Sequence, residues 1–506
     1  PFKIDFFCVK AKRRKDCLMK NKSLFLLMIT IENYINGELV APVEGKYLDN
    51  YNPSKGEVYS QIPNSQANDV EKAVKAASEA FPEWSKTPKN ERSKILVRLA
   101  NLIDENLEEL AKAEAMDNGK PYSLATRVDI PRASANIRFF ATAILHNASE
   151  SHHMEEGFTN FTLNHPLGVV GCISPWNLPL YLFTWKIAPA IASGCTVVAK
   201  PSEVTPMTAY LFSKLCIEAG IPKGVLNIVH GLGAHAGDAI VSHPKVKAIS
   251  FTGGTATGKI IGRKAADSFK KTSLELGGKN PNIIFADCDF DKMLSTTLHS
   301  SFANQGQICL CGSRIFIEKP IYEKFKNALV EKLKTHTVGD PFNKETRMGA
   351  LVSEDHLNKV LGYVKLAEEE GGTVLFGGNR LTIAGSENGY YMEPTVIEGL
   401  DYNCRTNQEE IFGPVVTLTP FETEEEVLEY ANSTQYGLAA TVWTENLSRA
   451  HRVSQELESG IVWVNCWLVR DLRTPFGGVK NSGLGREGGF RALEFFTEPK
   501  NVCIKY

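Results

Sequence analysis

Two stretches of this chain carry residue types suited to covalent chemistry. In SFANQGQICLCGSR (301–314), Cys309 follows a polar Asn-Gln-Gly-Gln turn. In SLELGGKNP (273–281), 34 residues upstream, Glu275 stands between two leucines and beside a Gly-Gly pair. A deprotonated thiol is a strong nucleophile. A carboxyl in apolar surroundings keeps its proton to higher pH, which suits a base working near neutrality. Either element alone is ordinary; in this order they point to a cysteine nucleophile served by a tuned base.

The elements that must hold this pair alternate between β and α. From residue 167 onward come the β-rich runs GVVGCIS (168–174), CTVVAK (195–200), VLNIVH (225–230) and VKAISFT (246–252). Helical stretches at 206–219 and 257–269 lie among them. Near-continuous apolar strands joined by helices mean βαβ units and a buried parallel sheet. A second α/β region starts at PNIIFA (281–286) and runs to about residue 475. Upstream, helices are expected at 67–85 and 90–118, the second with Ile95, Leu96, Leu99, Leu102, Ile103, Leu107 and Leu110 on one face.

Glycine turns at strand ends supply a second kind of chemistry, since a doubly wound sheet binds ligands at the carboxyl ends of its strands. FTGGTATG (251–258) puts Gly253 and Gly254 in the turn after Thr252, with Thr255 at a helix N-terminus whose amides suit a pyrophosphate. GLGAHAG (231–237) also leads from strand to helix, but Gly231, Gly233 and Gly237 hold one residue too many for a dinucleotide fingerprint. In KPSE (200–203), Glu203 can take the hydroxyls of an adenosine ribose and would repel a 2′-phosphate, which favours NAD over NADP. The competing reading is a helix cap by Ser202 with Glu203 in the first turn.

Size and composition bound the rest. A chain of 506 residues is too long for one hydrophobic core, so two large domains are expected. A formal charge of −2 gives no footprint for nucleic acid or an anionic membrane. Its 11 cysteines are scattered, several in apolar runs, which suggests a reducing, cytoplasmic setting without a disulfide framework. Neither the Cys309–Cys311 pair nor His152-His153 has partners at ligand spacing, so no metal is expected. Residues 1–30 carry the basic run KAKRRK (10–15) and a short apolar patch, LFLLMI (24–29), far shorter than a membrane span. They read as a disordered extension, with a native start near Met19 or Met28.

Seven motifs stand in one order: ISPWNLP (173–179), KPSE, FTGGTATG, LELGGKNP, NQGQICL, EEIFGPV (409–415) and PFGGVKNSGLGRE (475–487). In these residues the chain resembles the aldehyde dehydrogenase superfamily from residue 31 to 506. The resemblance implies an α/β fold. Its parts would be a Rossmann-like NAD-binding domain (31–147 and 169–280), a second α/β catalytic domain (281–480) and a small β oligomerisation extension (148–168 and 485–506). By position, Cys309 matches the family nucleophile, Glu275 the general base and Asn177 the side-chain half of the oxyanion hole. The resemblance places NAD against Ser174, Pro175, Trp176, Lys200, Glu203, Gly233, Gly237, Thr252, Gly253, Gly254, Thr255, Leu276, Glu410 and Phe412. The implied reaction is NAD-dependent oxidation of an aldehyde to a carboxylate through a thiohemiacetal and a thioester, in a homodimer or homotetramer.

Within that superfamily, WNLPLYLFTWKIAPA (176–190), ICLC (308–311) and NCWLVRDLRTPFGG (465–478) are similar to the muconic-semialdehyde dehydrogenases. Their substrates, 2-amino- or 2-hydroxymuconate 6-semialdehyde, carry a distal carboxylate that asks for a cation, preferably arginine. Arg132 and Arg470 are the expected holders, with Arg127 and Arg473 behind them; the alternative for each is a structural ion pair with Asp129 or Asp471. The similarity leans toward the amino substrate, and a retinal-type or general aldehyde is the wider alternative. A coenzyme-A-acylating enzyme of the same fold would lack Glu275. An idle, crystallin-like structural protein would tend to lose the catalytic side chains.

Overall fold

The computed structural model describes residues 28–155 and 157–506. The basic run, most of the apolar patch and Met19 lie outside the described residues. Ile29–Thr30, expected in the disordered extension, instead form a strand parallel to Glu57–Pro63, with Ile29 opposite Ser60. The pairing continues where the Ile31 N–H donates to the Gln61 carbonyl at 2.8 Å, and the fully buried Ile31 side chain anchors it.

Two large sheets dominate. The first has eight strands, and its five central ones are parallel in the order Lys271–Glu275, Val246–Thr252, Val169–Ile173, Thr196–Lys200, Leu226–Ile228. Chain order therefore runs outward in both directions from Val169–Ile173, which places a topological switch point beside it. The second sheet has seven strands, six of them parallel: Thr395–Glu398, Val415–Phe421, Gly312–Glu318, Asn280–Ile284, Ala439–Trp443 and Ile461–Val464. Both faces of the central strands are buried, which is why they read as unbroken apolar runs.

Helices 89–105, 130–143 and 179–193 pack together, the last of them lying against the first sheet. The expected long helix over 90–118 is interrupted at Asn106, where the backbone takes φ −104° and ψ 22°. There the Asn106 side chain and its own N–H both donate to the Leu102 carbonyl, at 2.8 and 3.1 Å, closing the first helix on that residue. Helix Pro179–Ser193 starts on a proline, ends at Gly194 in the left-handed region and is almost wholly buried, yet it carries Lys186.

A separate three-stranded sheet has Phe158–Pro166 at its centre, with Ser151–Met154 on one side and Thr497–Lys505 on the other. Of the span 485–506, expected as strands, 489–495 is a short helix and only Thr497–Lys505 joins this sheet.

Candidate active site

Glu275 is the last residue of its strand and Asn280 the first of the next, so four residues carry the chain from one sheet to the other. The site sits at this crossing, at the carboxyl ends of the first sheet and the amino ends of the second. Glu410 fills the space beside the Gly-Gly of the crossing and excludes a side chain at Gly277. The Gly278 N–H donates to Glu410 Oε1 at 2.9 Å, and a Cβ on Gly277 would stand 2.3 Å from Glu410 Oε2.

Cys309 follows a loop bent through three successive left-handed residues: Asn304 (φ 51°), Gln305 (φ 59°) and Gly306 (φ 68°). Asparagine and glycine tolerate this region, and side-chain amides hold the loop against its strain. Gln305 donates to the Ala350 carbonyl at 2.7 Å, and Gln307 accepts from the Val352 N–H at 3.1 Å. Asn280 donates to the carbonyls of Cys309 (2.7 Å) and Cys311 (2.9 Å), fixing the segment after the thiol. The buried Asn177 donates through Nδ2 to the Gln307 carbonyl at 2.9 Å, bringing its amide onto the same loop. Burial, with the Glu410 and Glu275 carboxyls nearby, pushes the Cys309 thiol well above its ordinary value.

Glu275 is buried, and neither carboxyl oxygen accepts a hydrogen bond from the described residues. Burial raises its carboxyl well above the ordinary range; Glu487 adds to this, while Lys186, Arg470 and Arg486 oppose it. Its surroundings are therefore not simply apolar. Glu487 Oε1 accepts from Lys186 Nζ (2.9 Å), Ser250 (3.1 Å) and Ser273 (3.3 Å), forming a buried polar chain behind Glu275. Sequence reasoning missed Glu487 and Lys186. A lone lysine inside the apolar run PLYLFTWKIAPAIAS was the available signal, because buried charges need partners.

Two cavities meet at Cys309. One, about 710 Å³, is lined by Pro175, Trp176, Asn177, Thr252, Gly253, Gly254, Leu276, Gly277, His356, Lys359, Glu410 and Phe412 together with Cys309. Trp176 and Phe412 meet edge to face at 5.2 Å, and the Phe412 carbonyl, at a residue of φ 63°, lies 2.7 Å from His356 Nε2. Lys359, not foreseen, lies 3.3 Å from the Glu410 carbonyl. Further out, Lys200 pairs with Glu203 at 2.8 Å, and Glu203 accepts from the Gly233 N–H at 3.3 Å. Burial works against the Glu203 carboxylate, but Lys200 and the surrounding hydrogen bonds hold its carboxyl below the ordinary value. Gly237 lies buried against the Lys200 side chain. The region fits a dinucleotide. The hydroxyls of Ser174, Thr252 and Thr255 are buried without partners among the described residues, and helix Thr255–Ala266 presents its N-terminus beside open space at Gly254.

The second cavity, about 740 Å³, shares Thr252 and Cys309 with the first and contains Glu275. Its walls include Leu124, Val128, Leu178, Tyr181, Trp185, His299, Ile308, Leu310, Trp467, Leu468 and Phe476, with Arg470 among them. The Arg470 guanidinium lies 4.0 Å from the Phe476 ring centroid and 4.8 Å from that of Trp185, and donates to the Tyr181 hydroxyl at 3.2 Å. It makes no ion pair with a described carboxylate. Arg132 stands further out, 5.8 Å from the Tyr181 ring centroid and outside the cavity lining. Arg473 is exposed and bound to Asp471, and Arg127 is exposed. Asp129 is engaged by Lys120 rather than by Arg132.

A family model described as the aldehyde dehydrogenase family matches residues 40–502, and the chain belongs to that family. Among its relatives, the 2-aminomuconic semialdehyde dehydrogenase of Danio rerio is 52% identical over 482 residues, covering 94% of this chain and 99% of the relative. The 2-hydroxymuconic semialdehyde dehydrogenase of Pseudomonas sp. (strain CF600) is 46% identical over 485 residues, covering 94% of this chain and 100% of the relative. Among solved structures, the NAD+ complex of an aldehyde dehydrogenase from Bacillus cereus superposes with a TM-score of 0.92 at 40% identity, covering 100% of both chains.

Proposed function

We propose that this enzyme oxidises an aldehyde bearing a distal carboxylate, 2-aminomuconate 6-semialdehyde being the preferred substrate, with NAD+ as oxidant. The observation that carries this reading is the position of Cys309. It lies in the wall between a cavity fit for a dinucleotide and one whose apolar lining holds an arginine without a carboxylate partner. The names of the relatives, aminomuconic and hydroxymuconic semialdehyde dehydrogenases, support it.

NAD+ bound in the first cavity supplies the hydride acceptor. Trp176, Glu410 and Phe412 would hold its nicotinamide end, and Lys200 with Glu203 its adenosine ribose; the negative charge of Glu203 disfavours a 2′-phosphate. The Cys309 thiol gives up its proton to Glu275 and attacks the aldehyde carbon. The second Asn177 amide proton, not used by Gln307, and the Cys309 N–H then donate to the developing oxyanion. After oxidation a thioester remains on Cys309. Glu275, having passed the thiol's proton to solvent, takes a proton from water, whose hydroxide adds to the thioester carbon; the C–S bond breaks, releasing the carboxylic acid and a Cys309 thiolate that recovers its proton from Glu275. Glu275 is the group that makes water the final acceptor. Arg470 and the Tyr181 hydroxyl receive the substrate's far carboxylate, with Arg132 in support at longer range.

A homo-oligomer built on the sheet of 151–154, 158–166 and 497–505 belongs to the same proposal, as does a cytoplasmic setting. For the latter, the free, buried thiols of Cys172, Cys195 and Cys216 are the support. Among the described residues, no helix is long and apolar enough to cross a membrane.

The test compares kcat/KM for an ω-carboxylated semialdehyde, a plain alkanal and retinal, in wild type and Arg470→Ala. A charge-assisted hydrogen bond contributes about 1.5–3 kcal/mol, so Arg470→Ala is expected to lose roughly 10- to 100-fold on the charged aldehyde and little on the others. Equal wild-type rates on charged and uncharged aldehydes would sink the carboxylate reading.

A further inference from the structure

Behind Asn177 lies a buried cluster of charges that the chemistry above does not use. Glu114, Lys120 and Asp129 are all fully buried. Lys120 Nζ lies 2.5 Å from Asp129 Oδ2 and 3.7 Å from Glu114 Oε1, and donates to the Asn177 main-chain carbonyl at 3.0 Å. Asn304, from the left-handed loop before Cys309, donates to the same carbonyl at 2.9 Å. Asn118 adds a longer contact to that oxygen at 3.4 Å, so Lys120 and Asn304 are its two short donors.

Stability alone does not account for such a cluster. Each buried ion costs several kcal/mol in lost hydration, and well-packed apolar residues of similar volume often do as well or better. Burial raises both the Glu114 and the Asp129 carboxyls, and Lys120 opposes this in each; Asp129 is the nearer of the two to the Lys120 nitrogen. The backbone is also bent to build it. Asp129 ends a wide π-helical turn, Ala125–Asp129, and lines the aldehyde cavity beside Leu124 and Val128. Such turns cluster at functional sites.

We propose that Lys120 is a positioning residue for aldehyde oxidation: its ammonium, held by Asp129, clamps the Asn177 carbonyl and so fixes the Asn177 amide where the oxyanion develops. The proposal rests on the oxyanion role given to Asn177. With the carbonyl clamped and one amide proton engaged by Gln307, the Asn177 side chain has little freedom left. Preorganised donors work because they need not reorient during the reaction, and a misplacement of about 1 Å can cost roughly 100-fold in rate.

A double-mutant cycle on the full chain, Lys120→Met against Asn177→Ala, tests this. Steady-state kcat and the KM for NAD+ are read for each variant, and thermal melts identify the folded ones. Lys120→Met is expected to lower kcat roughly 10- to 100-fold with the KM for NAD+ within about two-fold, and to add no further loss in the Asn177→Ala background. Unchanged kcat in Lys120→Met, or losses that multiply when Asn177→Ala is itself impaired, would overturn the proposal alone. Wild-type kcat in Asn177→Ala would overturn the oxyanion reading, and the proposal with it. If Lys120→Met does not fold, Asp129→Asn enters the same cycle with the same expectation.

Discussion

Cys309 and Glu275, which carry the proton transfers of the proposed reaction, both hold their protons more tightly than usual, and this has a sign. In the proposed reaction Glu275 and Cys309 act in their deprotonated forms, and burial raises both. kcat/KM should therefore climb with pH through the neutral range, and Glu275→Gln should remove the carboxyl's share of that rise; a flat wild-type profile would contradict the assignment. Stability should move the other way. A carboxyl raised on folding contributes fully below its ordinary value near 4, and that contribution is lost as pH rises through the raised value. Wild-type melting temperature should fall over that interval more steeply than that of Glu275→Gln. The same variant should slow turnover about 10²- to 10⁴-fold and accumulate an acyl-enzyme visible by mass spectrometry. Cys309, Glu275 and Asn177 each stand in a local motif, and the fold brings them to the lining of two adjoining cavities. Glu487 and Lys186 were not legible in the sequence: they come from distant parts of the chain, and each side chain is ordinary until the fold joins them.

At the level of elements, the loop before Cys309 is where backbone geometry and chemistry depend on each other. Gly306 has φ 68°, and a Cβ there would stand 2.2 Å from the Gly413 carbonyl, next to Phe412. Gly306→Ala should therefore push the thiol loop and the Phe412 segment apart together. A loss of about 2–4 kcal/mol in stability and at least a 10-fold fall in kcat are expected, read by thermal melt and steady-state rate. A variant with wild-type rate would show that the two segments move independently. The runs at 168–174, 195–200, 225–230 and 246–252 were legible to within two residues, since unbroken apolar runs ending in glycine or proline have few other interpretations; the paired strands Tyr47–Asn52 and Glu57–Pro63, in a stretch that reads as turns, were not. Wide turns were not legible. The π-helical turns at 125–129 and 233–237 shift a helix by one residue, and a 3.6-residue pattern does not register that.

Across the whole molecule, the three-stranded sheet leaves Met154, Leu163, Ile504 and Tyr506 exposed. Among the described residues both of its outer strands also present unpaired edges, which natural proteins usually cover. Deleting 497–506 should leave Phe158–Pro166 without a neighbour on one side and yield a smaller species by light scattering; an unchanged mass would assign assembly to another surface. The two-sheet architecture was visible in the alternation of runs, whereas the long return of the tail to residues 158–166 has no local trace. The partition between the two cavities has one further consequence. Only Thr252 and Cys309 belong to both linings. Apolar residues that line the second cavity alone, such as Leu124, Val128 and Trp467, can vary without touching the first, so descendants of such a chain can trade one oxidisable molecule for another while inheriting their electron carrier intact.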